Sequence, residues 1–210
     1  MAYVTVSRQY GAGGSEVARR VAEQLGWTVV DNEFVGAVAA RAGVPVEAVA
    51  AHEERVPSLM ARLAIALAVS SPEMFVPLAA TGGEPDEATL VAVTERVIRE
   101  AAAGGRVVLV GRGAQALLAA AAEQDALYVY VTAPRAERVR VITERLGLPE
   151  AEAARTVDTT DADRDRYVQR HYHRRRDDPA NYHLVVNTAL LGYDGAADLV
   201  VAAARRRGWS

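Results

Sequence analysis

The chain has 210 residues, half of them apolar, enough to bury one sizeable core, so a single domain spanning 1–210 is expected. Its net charge of −3 argues against a general binder of nucleic acid or of anionic membranes, which would carry a basic excess. The absence of cysteine excludes disulfides, thiolate zinc sites and cysteine nucleophiles, and because lysine is also absent all 24 strong cations are arginines.

In chain order, MAYVTV opens without a basic n-region or a long apolar stretch, which reads as a cytoplasmic protein. A strand is expected over 3–6, then the turn RQYGAGG, then a helix over 15–25. A second strand over 28–30 ends at Asp31. Helices are expected over 32–42, 45–55, 58–69 and 86–103; the apolar run LAIALAVSS within them is about half a membrane span. A third strand, 107–110, runs into Gly111, Arg112 and Gly113. A helix over 114–121 and a fourth strand over 127–132 follow, then helices over 136–146 and 149–172, a fifth strand over 183–186 and a helix over 196–207. Short apolar runs alternating with longer helical patterns predict parallel βαβ units in an α/β fold, with each strand apolar on both faces. The stretches 32–105 and 147–181 exceed what a crossover needs. Mobile insertions of that kind suit a phosphotransferase, whose site must close to exclude water.

Four constellations carry chemistry. SRQYGAGGSEVARR approaches the phosphate-binding pattern G-x-x-x-x-G-K-[ST]: Gly13 and Ser15 match, Arg8 stands where the first glycine belongs, and Gly14 replaces the lysine. The strand, the glycine turn and the helix N-terminus together favour an anion, although the same glycines suit a plain tight turn and Ser15 a plain helix cap. Asp31 closes a strand at the edge where parallel sheets bind ligands, or else caps the next helix. Arg112 lies between two glycines, open to a phosphate unless it is a surface arginine in a turn. No aspartate closes the 107–110 strand, so Mg²⁺ would rest on phosphates, water and Ser15. In the charged stretch, Asp158, Asp161, Arg164 and Asp165 share a helical face, with Arg166, Arg170 and Arg174 beside them, as on a solvated helix. His171 and His173 are two residues apart and do not share a face for a metal.

The ordered blocks SRQYGAGGSEVA, VVDNEF, LVGRGA, VTAPRAERVRVI, DADRDRY and YHLVVNT resemble the cytidylate kinase-like family of P-loop nucleoside monophosphate kinases, least between residues 43 and 95. The resemblance implies a P-loop NTPase fold with a five-stranded parallel sheet and helices on both faces, made of a core (1–31, 104–146, 182–210), an NMP-binding insertion (32–103) and a lid (147–181). It implies transfer of the ATP γ-phosphoryl group to CMP or dCMP with Mg²⁺. Arg8, Gly11, Ala12, Gly13, Gly14, Ser15 and Glu16 would surround ATP, with Ser15 on the metal. Asp31, Arg112, Asp161 and Arg164 would hold the monophosphate, and Arg138 and Arg164 would act in catalysis. Asp161 and Arg164, one helical turn apart, would face the cytosine edge. The small-molecule partner is then the monophosphate, with no nucleic acid and no membrane; a homo-oligomer is left open. Two rivals also stay open: a nucleotide sensor that has lost turnover with the lysine, and a P-loop kinase for another acceptor, such as dephospho-coenzyme A or a sugar acid.

Overall fold

The computed structural model describes residues 1–31, 87–119 and 125–209. The helices expected over 32–42, 45–55 and 58–69, and with them most of the expected insertion, lie outside the described residues.

Strand β1 (Tyr3–Arg8) leads through the glycine turn into α1 (Gly14–Leu25) and β2 (Thr28–Asp31). After the next described helix, α2 (Glu87–Gly104), come β3 (Val107–Val110), α3 (Ala114–Ala119) and β4 (Ala126–Thr132). Helices α4 (Arg135–Leu146) and α5 (Glu150–Tyr172), a short 3₁₀ turn (Pro179–Asn181), β5 (Leu184–Asn187) and α6 (Thr188–Arg206) complete the chain. The five strands form one sheet in the order β2-β3-β1-β4-β5, and each pairing is parallel. This is the α/β architecture expected from the alternating runs.

Alternation along the strands divides the core between the two faces of the sheet. Val4, Val6, Val108, Val110, Leu127 and Val129 pack against α1 and α6 through Val17, Val21, Ala197 and Val200. Tyr3, Val107, Leu109 and Tyr128 turn the other way, toward Ile98 of α2 and Leu117 of α3. Each such side chain contributes about 1.5–3 kcal/mol by leaving water, so the three central strands carry much of the fold's stability. The expectation that all five strands are apolar on both faces as in a buried sheet meets an exception at an edge: Val185 of β5 is 48 % exposed, and among the described residues none covers it.

The last helix begins earlier than its apolar period suggests. Asn187 caps it, its side chain accepting from Ala189 N at 3.0 Å, and Gly192 (φ 66°, ψ 174°) breaks it before the regular run begins. Among the described residues no helix is long and apolar enough to cross a membrane.

Register sets what meets at the carboxyl edge of the sheet. Asp31 lies level with Val110 and so does Val6, while β1 runs two residues further, to Arg8 opposite Val131. The ends of β1, β2 and β3 therefore converge beside the glycine turn.

Candidate active site

Gly13 (φ 77°) caps α1 in the left-handed region and no side chain caps the helix, so the first-turn N–H groups face outward. Ser15 is thus not the cap; its Oγ donates to Asp31 Oδ2 at 3.0 Å. A side chain at Gly13 would run into the ring of Tyr193 from α6.

Gly14, at the lysine position, is filled from elsewhere. A Cβ placed there would lie 2.5 Å from Cβ and 2.8 Å from Cγ of Arg8, so a side chain at 14 and Arg8 exclude one another as the backbone stands. Arg8 is only 6 % exposed. Its guanidinium continues past Gly14 to the space above Gly111, with Nη2 3.5 Å from Asp31 Oδ1. Beyond the loop, hydrogen bonding from Arg19 holds the Glu16 carboxyl below the usual carboxylate range.

Helix α5 and the segment after it grip the loop from the other side. Asp161 accepts from Tyr10 N at 2.9 Å and from Arg138 Nη1 at 2.5 Å, and lies 3.5 Å from Arg176 Nη2. Arg138, 7 % exposed, also donates to the carbonyls of Tyr10 (3.1 Å) and Ala133 (3.0 Å). Arg176 donates to Arg8 O at 2.6 Å and Asp165 Oδ1 at 2.8 Å, and lies over the Tyr130 ring. Burial pushes the Tyr130 phenol up to about 12, although the Arg176 guanidinium beside it acts the other way, so Tyr130 stays neutral. A small apolar cluster of Val139, Ile142, Ala153 and Val157 joins α4 to α5, and Tyr10 packs on it.

Arg112 holds a left-handed backbone (φ 50°) between Gly111 and Gly113, an unusual state for a residue with a side chain. Its guanidinium lies over the ring of Tyr167, 5.5 Å from the centroid, and its Nε is shielded from solvent without a hydrogen-bond partner.

Two cavities open on this edge. The larger, about 660 Å³, lies over the loop and is lined by Gly11, Gly13, Gly14, Ser15, Glu16 and Asp31, among others. The smaller, about 380 Å³, is lined by Arg112, Gln115, Asp163 and Tyr167 with neighbouring residues. Arg8 and Arg164 line both.

Most of the residues singled out from the sequence thus gather at this edge, though not always where expected. Asp31 sits with Ser15 and Arg8 in the loop cavity, not in the smaller one. Ala12 is buried beneath the loop, its carbonyl accepting from Thr188 Oγ1 at 2.8 Å. Arg138 and Asp161 line neither of these two cavities; their charged groups face one another. Sequence reasoning missed Gln115, Tyr167, Arg176 and Tyr193. Gln115 had left a signal, a lone polar residue in the apolar run AQALLA, whereas nothing in RRR distinguishes Arg176 from its neighbours.

A family model described as the cytidylate kinase-like family matches residues 3–190. Among solved structures, the chain is similar to an uncharacterized protein from Eubacterium ventriosum at a TM-score of 0.69 and 16 % identity, over 98 % of this chain and 99 % of the other. It is also similar to a shikimate kinase from Bacteroides thetaiotaomicron (TM-score 0.52, 11 % identity, 98 % and 96 % covered). A gluconokinase from Sinorhizobium meliloti gives a TM-score of 0.51 at 13 % identity, with 98 % and 92 % covered. No curated protein sequence matches the chain. At such identities these structures establish the shared fold.

Proposed function

The chain belongs to the cytidylate kinase-like family and has the P-loop kinase fold, and on that premise we propose that it transfers the γ-phosphoryl group of ATP to a nucleoside monophosphate, CMP or dCMP. One observation carries the reading. A loop cavity and a second cavity meet at two arginines, Arg8 and Arg164, the arrangement direct transfer needs between a donor and an acceptor.

In this reading the N–H groups of Gly11 and of Gly13 to Glu16 hold the ATP phosphates, with Ala12 buried beneath them, and Arg112 holds the phosphate of the acceptor. Mg²⁺, when bound, shields the phosphates; Ser15 and Asp31, with a hydroxyl and a carboxylate 3.0 Å apart, offer the hard oxygens it requires. The transition state of phosphoryl transfer is loose and anionic, so catalysis rests on position and positive charge, whatever residue supplies the charge. Arg8 fills the space beside Gly14 and supplies that charge in place of the lysine, with Arg164 approaching from α5. The segment 147–181 acts as a lid. Arg138 and Asp161 take part through the lid: in the described state each is held by the other, and contact with a nucleotide would require that pair to open.

A coupled ADP-release assay across all nucleoside and deoxynucleoside monophosphates, with shikimate and gluconate as further acceptors, tests this. CMP and dCMP are expected to turn over in an Mg²⁺-dependent way. ATP binding without ADP release for any acceptor would mean a sensor, and ADP release with shikimate or gluconate alone would mean another small-molecule kinase.

A further inference from the structure

Helix α3 buries one polar side chain among apolar ones. Gln115 is 4 % exposed, flanked by Ala114, Ala116, Leu117 and Leu118, each at most 6 % exposed. No described side chain or backbone group bonds to its amide, and Gln115 lines the smaller cavity and not the loop cavity. Its amide atoms are not fully buried and keep contact with solvent where Gln115 lines the cavity. An amide held in an otherwise apolar helix face with no protein partner is available to what enters that cavity.

From this we infer that Gln115 reads the base of the acceptor, an inference that rests on the nucleoside monophosphate reading above. A primary amide presents a donor and an acceptor side by side in one plane. The complement is a planar edge carrying an acceptor next to a donor, which the N3 and exocyclic N4 of cytosine supply. The amide NH₂ donates to N3 and its carbonyl accepts from N4–H. Part of the cavity wall suits a flat ring: Tyr167, Tyr182, Val168 and Ala116 are apolar over most of their surface, while Ser7, Thr160 and Asp163 offer polar groups beside them. Arg112, three residues earlier on the same wall, supplies the cation for the phosphate end, so one short turn carries both halves of recognition. A flipped amide pairs equally well with the N3–H and O4 of uracil. Gln115 therefore selects for a base edge and leaves the choice between cytosine and uracil to other groups.

The test uses the full chain with ATP, Mg²⁺ and three acceptor-site ligands. These are CMP, its analogue with a pyrimidin-2-one base that lacks the exocyclic amine, and ribose 5-phosphate, which has no base. In the wild type, kcat/KM for CMP should exceed that for the analogue by about fivefold to tenfold, one hydrogen bond. In Gln115→Met, which keeps the length of the side chain but not its amide, KM for CMP should rise about tenfold to hundredfold with kcat within threefold. The gap between CMP and the analogue should close, and inhibition by ribose 5-phosphate should stay unchanged. A wild type that treats CMP and the analogue alike would overturn the inference however the variant folds, as would equal losses for CMP and ribose 5-phosphate. A wild type that turns over no nucleotide would instead sink the underlying functional reading.

Discussion

Two buried arginines stand on either side of the glycine loop and are used in opposite ways. Arg138 spends its guanidinium on Asp161 and on two carbonyls, Tyr10 O and Ala133 O, and lines neither the loop cavity nor the smaller one. Arg8 is just as buried, yet it lies along Gly14, reaches Gly111 and lines both. A buried charge held at short range by a carboxylate and by loop carbonyls fixes backbone. One that pairs with its carboxylate at 3.5 Å, as Arg8 does with Asp31, and also borders two cavities still acts on an incoming anion. The clasp around Asp161 is thus read as holding the loop, and the junction around Arg8 as acting on what the loop binds.

The largest effect is expected at Arg8. Arg8→Met should lower kcat/KM by about 10²–10³ with a smaller change in stability than any break in the clasp. Because Arg8 and a side chain at 14 exclude one another, Arg8→Ala combined with Gly14→Lys should recover at least about tenfold of that loss, and Gly14→Lys alone should not. Steady-state kinetics with thermal melting of each protein checks this. A loss of stability in Arg8→Met with kcat/KM intact would erase the distinction between the two arginines.

Asp161→Asn comes next. Removing the charge that faces Arg138 and Arg176 should cost about 2–3 kcal/mol of stability, and turnover of CMP and UMP should fall in the same proportion. Urea unfolding and parallel CMP and UMP kinetics read both. If the ratio of CMP to UMP changed while stability held, Asp161 would belong with the cavity residues, as the sequence resemblance implies.

The smallest effect extends the comparison to a group that is neutral. His183 Nδ1 accepts from Tyr128 N at 2.8 Å, and burial, then the nearby Arg207, hold the imidazole below its ordinary value of 6.5. Above 6.5 both folded and unfolded chains carry it neutral and it contributes no pH dependence. As pH falls below 6.5 the unfolded chain takes up the proton first, so stability should decline toward the lower folded value. Urea unfolding at pH 7.5, 6 and 5 should show this slope, and His183→Asn should flatten it without changing kcat/KM at pH 7.5.

The core strands were legible because a buried parallel sheet demands uninterrupted apolar runs, and 107–110 and 127–132 supply them. The segment 149–172 was legible as one helix because neither proline nor glycine interrupts it; the structure has it as Glu150–Tyr172. The start of α6 was not. Asn187 as a cap and the break at Gly192 are single-residue signals, and a period search passes over them. Gln115 was passed over because one polar residue in a helix reads as exposed until its burial is known.

The sequence by itself determined the alternation that makes an α/β sheet, the glycine turn before a helix N-terminus, and the absence of every strong side-chain cation but arginine. These follow from local backbone preference and composition. Only the tertiary structure decided which arginine is clasped by Asp161 and which lines both cavities. Arg176 reaches the carbonyl of Arg8 across 168 residues, and Asp161 reaches the N–H of Tyr10 across 151. Pairings at that range are set by strand order and register, and all 24 arginines look alike until the sheet brings its strand ends together.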